Sequence, residues 1–531
     1  MFLDLKRNLL LLLLLTVFSA CDFFKEKPEA GIVLAEYYKN KAFNKFDTLV
    51  YNQIFQEKYD SLQGQFQNPK VLKAFYESEL NKASIFIRSL KSGELEEILS
   101  YFNRSREDGF NPDAFQTSEI DQLKAKLDVL QKTKDLKPVY PIIAELELKL
   151  ASNMLKYHSF LKFGSIQPRK VLNRYYIPNL RPDSTYLDSL LRVDNITSNF
   201  LTAQTSDPEY LALKDLYQKY KDSPLSEGSI KQLILINMER ARWKMPKTSA
   251  EIVRVNIPDY TLTWTKGQDT IARMKVCVGA RRQADFESQI KVYLKSKKLD
   301  DKPKNHETPQ LFSEFNAIQV NPIWNIPVSI AQSEIYYQAI KDPYYLSNNN
   351  MRVYYKGKLV SDPDTIQWSK YKRENLPFQF KQGSGEGNAL GKFKFIFDNG
   401  SSIYLHDTNN KTAFSYKMRA ISHGCVRVED PLKFASLLVK NQAQYDDLRM
   451  EVNLPPVDST KTAKYQKILA KKADTMNRYQ LKPSWYPTRK NILIITDYKT
   501  GWVKNGILET RADVYDYDPI VWNSLKRYIL P

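Results

Sequence analysis

The sequence predicts an α+β protein, in which an all-helical N-terminal region precedes a mainly β region. In the first half of the chain, apolar residues recur every three or four positions, the period of a helix with one buried face. From about residue 248, apolar and polar residues alternate, and turn residues separate short segments. With 531 residues, 42% of them apolar, the chain is long enough for roughly three domains.

The helical period is clearest in two segments. One ends at the stop signal Gly164, and its apolar residues are Ile143, Leu146, Leu150, Met154 and Tyr157. The other precedes Trp243 and contains Ile230, Leu233, Ile234, Met238 and Ala241. His158 lies in the first segment, and we interpret it as a packed helix residue rather than a ligand.

The β region is predicted to begin with a meander of three strands. Val253, Val255 and Ile257 alternate with polar residues, and a turn at 266–269 follows. The other meander strands and the later predicted strands are 260–265, 270–278, 392–397, 401–405, 491–496 and 508–515. A short helix is predicted over 431–440, a polar insertion over 281–306, and a mixture of helix-like and loop-like segments over 331–380.

The N-terminus has the features of an export signal. Lys6 and Arg7 precede the short apolar run 9–15, and small residues follow before Cys21. This pattern resembles a bacterial lipoprotein signal over residues 1–20, with Cys21 as the lipidated residue. The alternative is ordinary cleavage with an incidental Cys21. Cys277 lies in a predicted strand and is interpreted as a small packed residue.

The formal net charge of +19 indicates a basic surface. Such a surface suits an anionic membrane or an anionic polymer, although a solvated, lysine-rich surface explains the charge equally well. No nucleic-acid-binding motif accompanies the charge, so we predict no nucleic-acid partner.

The chemistry of the chain is expected at Cys425, in the stretch Ser422-His423-Gly424-Cys425-Val426-Arg427. A thiol needs a base and backbone N–H donors before it can attack a carbonyl. His423 is two residues away, whereas His406 closes a predicted strand 19 residues upstream (425 − 406). Gly424 permits close backbone approach, so the amides near Gly424 and Cys425 could point at one oxygen.

Two other interpretations of this stretch are weaker. His406, His423 and Cys425 could supply three zinc ligands, but their tight spacing lacks a CxxC or HExxH pattern. Cys425 could instead be a buried structural residue, although its context is polar and contains glycine.

The loop Gly383–Asn388 fails the spacing of a dinucleotide-binding loop and is either a binding-site loop or a turn. We predict no cofactor and no metal.

His406 and the stretch from Ser422 to Arg427 together resemble the signature of the L,D-transpeptidase (YkuD-domain) family. Residues 321–327 and 387–391 are similar to its large periplasmic, YcbB-like subgroup, and residues 107–112 to that subgroup's scaffold domain. This resemblance implies a scaffold domain over 21–247, a catalytic domain over 248–452 with an inserted cap at 331–380, and a C-terminal connector with strands over 453–531.

The resemblance also implies an activity and site residues. Such enzymes join peptidoglycan tetrapeptide stems by 3→3 cross-links, through a cysteine thioester and with release of D-alanine. Cys425 would be the nucleophile, His406 its base and Gly424 part of the oxyanion hole. The substrate-binding residues would be Ser422, His423, Arg427, Tyr404 and Asn388. The expected location is the periplasmic envelope, with a lipid anchor in a membrane.

The chain departs from the subgroup in two places. No pattern of a peptidoglycan-binding helical module occurs between 183 and 228, and residues 281–306 separate two segments that lie closer together in relatives. Two alternative functions stay open: an L,D-carboxypeptidase that trims stems, and a non-catalytic wall-binding lipoprotein.

Overall fold

The computed structural model describes residues 28–78, 84–226, 228–246, 249–473 and 481–529. The predicted export signal and Cys21 lie outside these residues. The predicted fold class is confirmed: helices occupy the N-terminal region, and the region from residue 250 is mainly β. The described residues divide into two compact units, one within 28–166, 180–244 and 522–529, and one within 167–179 and 245–521. Among the described helices, none has the length and apolarity that a membrane span requires.

The first unit is helical and is organised around the long helix Tyr140–Phe163, most of whose side chains are buried. This helix ends at Gly164, whose φ of 84° is favourable for glycine. His158 is buried there, and burial lowers its pKa to about 4. The other α-helices described in this unit are Glu29–Tyr37, Thr48–Leu62, Pro69–Ser78, Ile85–Ser92, Leu95–Arg104, Thr117–Val129, Ser184–Leu191, Ile196–Ala203, Pro208–Tyr220 and Ile230–Ala241.

The second unit is built on a ten-stranded sheet that closes on itself. Its strands are β1 (Glu251–Asn256), β2 (Thr261–Lys266), β3 (Asp269–Gly279), β4 (Leu311–Val320), β9 (Phe393–Phe397), β10 (Leu405–His406), β11 (Ala420–Ser422), β12 (Val426–Val428), β13 (Ser484–Pro487) and β14 (Ile492–Asp497). The order is β11-β3-β12-β10-β9-β4-β14-β1-β2, and β2 pairs back to β3. The tenth strand, β13, lies off this path and pairs with β4. The predicted meander is confirmed as β1, β2 and β3.

The closed sheet surrounds an aromatic core centred on Phe434. This residue lies on the helix Pro431–Leu438 and contacts Trp264, Phe315 and Phe395, with ring centroids 5.4, 5.6 and 4.7 Å apart. The other helices described wholly within this unit are Pro168–Val171, Phe286–Ser296, Val328–Ile330, Tyr336–Lys341, Tyr345–Asn348, Gln442–Glu451 and Thr462–Ala473. The helix Tyr517–Leu525 begins in this unit. A filled interior means that one face of each strand is committed to packing, so functional side chains must use the other face.

Residues 324–382 form a small subdomain with its own sheet and core. The sheet consists of β5 (Trp324–Asn325), β6 (Met351–Tyr355), β7 (Lys358–Leu359) and β8 (Phe378–Gln382), in the order β5-β8-β6-β7. Its buried residues include Leu346, Val353, Trp368 and Phe380. The sequence predicts only helix-like and loop-like segments over 331–380, so the strands β6, β7 and β8 are a correction.

Two predicted strands are wrong in extent. Residues 401–404 lie outside any strand, because the Asn399 side-chain oxygen accepts from Ser401 N–H and Ile403 N–H and Ser402 adopts a φ of 55°. The strand predicted over 508–515 is β16 (Ile507–Thr510), paired with β15 (Gly501–Lys504). It stops because Asp513 turns the chain by accepting from the N–H groups of Tyr517 and Asp518.

Candidate active site

The candidate site is built on the parallel pair of β10 and β12. Leu405 lies opposite Val426, and His406 lies opposite Arg427. Leu405 and Val426 point into the core and are fully buried. Since side chains alternate along a strand, His406 and Arg427 project from the other face, together with their neighbours Tyr404 and Cys425. The structure therefore brings together four of the sequence-predicted residues on one face.

Cys425 lies next to Tyr404 at the start of this pair, where Val426 N–H donates to the Tyr404 carbonyl at 3.2 Å. Its thiol is free and partly exposed. Burial raises the pKa of the Cys425 thiol, while hydrogen bonds from the N–H and hydroxyl of Tyr404 and the charges of Lys394 and Arg427 act in the opposite direction. Because the pKa is raised on balance, the thiol is protonated at neutral pH and needs a base.

His406 is held as a neutral base. Its side chain is buried, and Nδ1 lies 2.5 Å from the Asp407 carbonyl oxygen. A carbonyl oxygen only accepts, so Nδ1 carries the proton and Nε2 keeps its lone pair. Burial and the positive charge of Arg427 lower the pKa of His406 to about 3. The imidazole is therefore unprotonated at working pH and can accept a proton.

Two cations flank the thiol on the same face. Lys394 of β9 lies opposite His406, and its Nζ sits 4.0 Å from the centre of the Tyr404 ring. Burial lowers the pKa of Arg427, while the nearby Cys277 and Cys425 thiols raise it. Within the described residues, Arg427 Nε is buried and has no hydrogen-bond partner. Both cations favour negative charge that develops at the sulfur or at a bound acyl group.

The loop before Cys425 is held by its own side chains. Ser422 is buried, and its Oγ donates to the Cys425 carbonyl at 2.6 Å and accepts from Gly424 N–H at 3.1 Å. Gly424 has a φ of 118°, which strains any residue with a Cβ. The Gly424 N–H is therefore occupied, whereas the Cys425 N–H has no partner in the described part of the chain.

His423 points to a different set of groups. It is exposed, its Nε2 lies 2.5 Å from Glu334 Oε1, and its ring is edge-on to His306 at 4.7 Å. Glu334 belongs to the subdomain 324–382, and His306 to the end of the predicted insertion. The hydrogen bond from His423 lowers the pKa of Glu334. His423 thus contacts groups from two other segments near the site. Of His406 and His423, His406 is the buried one, and it lies on β10, which pairs with the strand that follows Cys425.

Asn388 holds a neighbouring loop. The side chain is buried; its Nδ2 donates to the carbonyls of Pro322 and Gly383 at 3.0 and 2.9 Å, and its Oδ1 accepts from Leu390 N–H at 2.7 Å. These contacts engage Asn388 with backbone groups of its own loop and of Pro322.

The second thiol lies on the same sheet. Cys277 of β3 pairs with Arg427, is fully buried and packs with Ala413 and Phe414. The prediction that it is a small packed residue is confirmed. Within the described residues, no group of three or more His, Cys, Asp or Glu side chains is arranged to hold a metal ion. His406, His423 and Cys425 thus do not converge as zinc ligands.

Sequence reasoning missed several residues that surround the thiol. The sequence could have indicated Lys394, because it lies between Phe393 and Phe395 on an alternating strand and so points away from the core. It could not have indicated Thr308 and Tyr515. Thr308 contacts Gly424 from 116 residues away, and Tyr515 contacts Thr308 from 207 residues away. No local pattern marks such contacts.

Comparisons with known proteins give two domain matches. Residues 250–452 match the L,D-transpeptidase catalytic domain (YkuD), and residues 70–216 match the Scaffold domain. Among curated proteins, the "Putative L,D-transpeptidase" of Haemophilus influenzae is 28% identical over 309 residues, which are 57% of this chain and 53% of that protein. The chain thus spans about half the length of the curated relative that it matches.

Proposed function

We propose, from the premise that this chain carries an L,D-transpeptidase catalytic domain together with a Scaffold domain, that it cross-links peptidoglycan stem peptides through a thioester on Cys425. The donor is a tetrapeptide stem, cut between its third residue, a diamino acid, and the terminal D-alanine. The acceptor is the side-chain amine of a second stem, and the product is a 3→3 cross-link.

The observation that carries this proposal is the hydrogen bond from His406 Nδ1–H to the Asp407 carbonyl. It fixes the tautomer in which Nε2 accepts a proton, on the face of the sheet that also bears Cys425. A protonated thiol next to a neutral imidazole is the ground state of a thiol–base pair, in which the proton leaves as the sulfur attacks.

The proposed reaction has two steps, acylation of Cys425 and transfer of the acyl group to the acceptor amine. Cys425 Sγ attacks the carbonyl carbon as its proton passes to His406 Nε2, and the carbonyl oxygen becomes an oxyanion near the Cys425 N–H and the Tyr404 hydroxyl. The C–N bond breaks, and D-alanine leaves with the proton from His406. The acceptor amine then attacks the thioester carbonyl and gives a proton to His406. The C–S bond breaks, and His406 returns that proton to the Cys425 sulfur.

A trapping experiment tests the nucleophile. A carbapenem is a strained acyl donor, so attack by Cys425 would open its ring and leave the adduct on sulfur. We expect the intact mass to rise by one carbapenem, peptide mapping to place the label on Cys425, and Cys425→Ala to stay unlabelled. A label on a serine, or drug turnover that a chelator abolishes, would overturn the assignment.

A product assay tests the outcome of the thioester. Purified protein incubated with tetrapeptide stems is expected to give cross-linked dimers and free D-alanine, as measured by mass spectrometry. Tripeptides without dimers would instead indicate that water takes the acyl group, which is the carboxypeptidase reaction.

A further inference from the structure

The peptide that joins Gly424 to Cys425 is held from outside its own loop. Thr308 is fully buried, and its Oγ1 donates to the Gly424 carbonyl at 2.8 Å. The same oxygen accepts from Gly279 N–H at 2.8 Å. The hydroxyl therefore uses its single proton on Gly424 and is itself fixed by β3.

A second buried side chain fixes Thr308. Tyr515 is fully buried, and its hydroxyl accepts from Thr308 N–H at 3.1 Å and donates to the Gly279 carbonyl at 2.7 Å. Tyr515 N–H in turn donates to the Tyr498 hydroxyl at 2.7 Å. Thr308, Gly279 and Tyr515 thus form a closed ring of hydrogen bonds in which both backbone groups of Gly279 are used.

The ring controls the direction of one amide. A trans peptide is planar, so its C=O and N–H point in opposite directions. Because Thr308 holds the Gly424 carbonyl, the N–H of Cys425 must point away from Thr308. Ser422 holds the next carbonyl, that of Cys425, at 2.6 Å. The peptides on both sides of the Cys425 Cα are thereby fixed.

We infer that Thr308, supported by Tyr515, is a positioning residue that aims the Cys425 N–H at the developing oxyanion. This inference rests on the proposed acyl-transfer function. It also gives the C-terminal segment 498–515 a part in catalysis, since that segment supplies Tyr515. A preorganised donor is effective because it does not have to reorient when the charge appears.

The test separates acylation from simple alkylation of the same thiol. Acylation by a carbapenem forms an oxyanion and needs the aimed N–H, whereas alkylation by iodoacetamide needs only the thiol and its base. We expect Thr308→Val to slow carbapenem acylation by about 10²-fold, in the range found when one oxyanion donor is lost. The alkylation rate should stay near that of the wild type, and Thr308→Ser, which keeps the hydroxyl, should restore acylation.

A matched control is available in the same unit. Thr488 is buried, and its Oγ1 donates to the Phe315 carbonyl at 2.9 Å. Thr488→Val removes a comparable buried hydrogen bond and should leave acylation unchanged. If Thr308→Val does not fold, Tyr515→Phe provides the second variant, with the same expected loss of acylation and retained alkylation.

Each outcome decides the matter. Wild-type acylation rates in Thr308→Val, an equal loss of acylation and alkylation, or no rescue by serine would overturn the inference and leave the proposed function intact. A wild-type protein that is alkylated at Cys425 but never acylated would overturn the proposed function, and the inference with it.

Discussion

At the scale of single residues, the site combines a thiol of raised pKa with an imidazole of lowered pKa. Burial acts on both groups, and it disfavours the charged form of each. The resting pair is therefore neutral, and charge appears only as the reaction proceeds. Lys394 and Arg427 lie where they stabilise that charge on sulfur while they disfavour a second cation on His406.

We predict that His406→Gln slows carbapenem acylation by about 10²- to 10⁴-fold, the usual contribution of a general base. His423→Gln should have a smaller effect, because the His423 side chain is engaged with Glu334 and does not lie on the face of the sheet that bears Cys425 and His406. Single-turnover acylation followed by mass spectrometry measures both rates. A larger loss in His423→Gln would reverse the two roles.

The pH profile provides a second measure of the same residue. A histidine of ordinary pKa, about 6.5, would lose its base function as the pH falls below that value. Since the pKa of His406 is lowered to about 3, its protonated form accumulates only in strong acid. We therefore expect no acid limb near pH 6.5 in the acylation rate of the wild type.

At the scale of secondary-structure elements, the end of β3 is packed against the segment that carries Thr308. A Cβ on Gly279 would lie 1.8 Å from the His306 carbonyl oxygen and 2.7 Å from Thr308 N. Both are backbone atoms, so the segment 306–308 would have to move. Glycine is thus required here because two segments of the chain approach each other closely.

We predict that Gly279→Ala lowers the free energy of unfolding by about 1–3 kcal/mol and slows acylation by displacing Thr308. Gly400→Ala is the matched control, because no atom lies within 4 Å of its Cβ position and its φ is not positive. Thermal unfolding and carbapenem acylation of the two variants provide the comparison. Equal behaviour of the two variants would contradict the packing argument.

The length and regularity of an element determine how well the sequence predicts it. The helix Tyr140–Phe163 and the strands β1 to β3 are long enough for the spacing of their apolar residues to predict them. The strand pair that bears Cys425 and His406 is only two residues long in register. The residue pattern predicts only the strand that His406 closes, and the family signature is what relates His406 to Cys425.

The elements that sequence reasoning missed are fixed by distant contacts. The sheet of residues 324–382 joins short strands across long connections, and its small core becomes apparent only when they pair. Residues 401–404 include apolar residues that predict a strand, but hydrogen bonds to the Asn399 side chain hold their backbone in another conformation. Thr308 and Tyr515 belong to the same class, because their partners lie far away in the sequence.

At the scale of the whole molecule, the helical unit and the β unit each bury a histidine in the neutral form. The pKa of His158 is lowered to about 4 and that of His406 to about 3, in both cases mainly by burial. In the unfolded chain these groups take up protons below about pH 6.5. Between that pH and the folded-state pKa, the unfolded state binds more protons, so stability falls as the pH falls.

We predict that His158→Gln makes the stability of the helical unit less sensitive to acid. On going from pH 7 to pH 5, the wild type should lose about 2 kcal/mol more unfolding free energy than the variant. Denaturant unfolding at the two pH values, followed by helical circular dichroism, measures this difference. Equal losses in both proteins would show that His158 does not titrate on unfolding.

The N-terminal sequence adds a prediction about location. We propose that the chain is exported and anchored by a lipid on Cys21, because small residues directly precede this cysteine. Cys21→Ala should release the protein from the membrane fraction or block its maturation, as measured by fractionation and by intact mass. Unchanged fractionation, with no lipid mass on the wild type, would contradict this proposal.

The parallel pairing of β1 with β14 determines when the closed sheet can be completed during synthesis. Glu251 is paired with Ile492, so the first strand of the ring waits for a partner 241 residues later (492 − 251). During synthesis, that partner follows Cys425, His406 and the subdomain 324–382. Contacts of such long range form slowly. The closed sheet, which includes the strands next to Cys425 and His406, therefore stays incomplete until residues 492–497 have been synthesised.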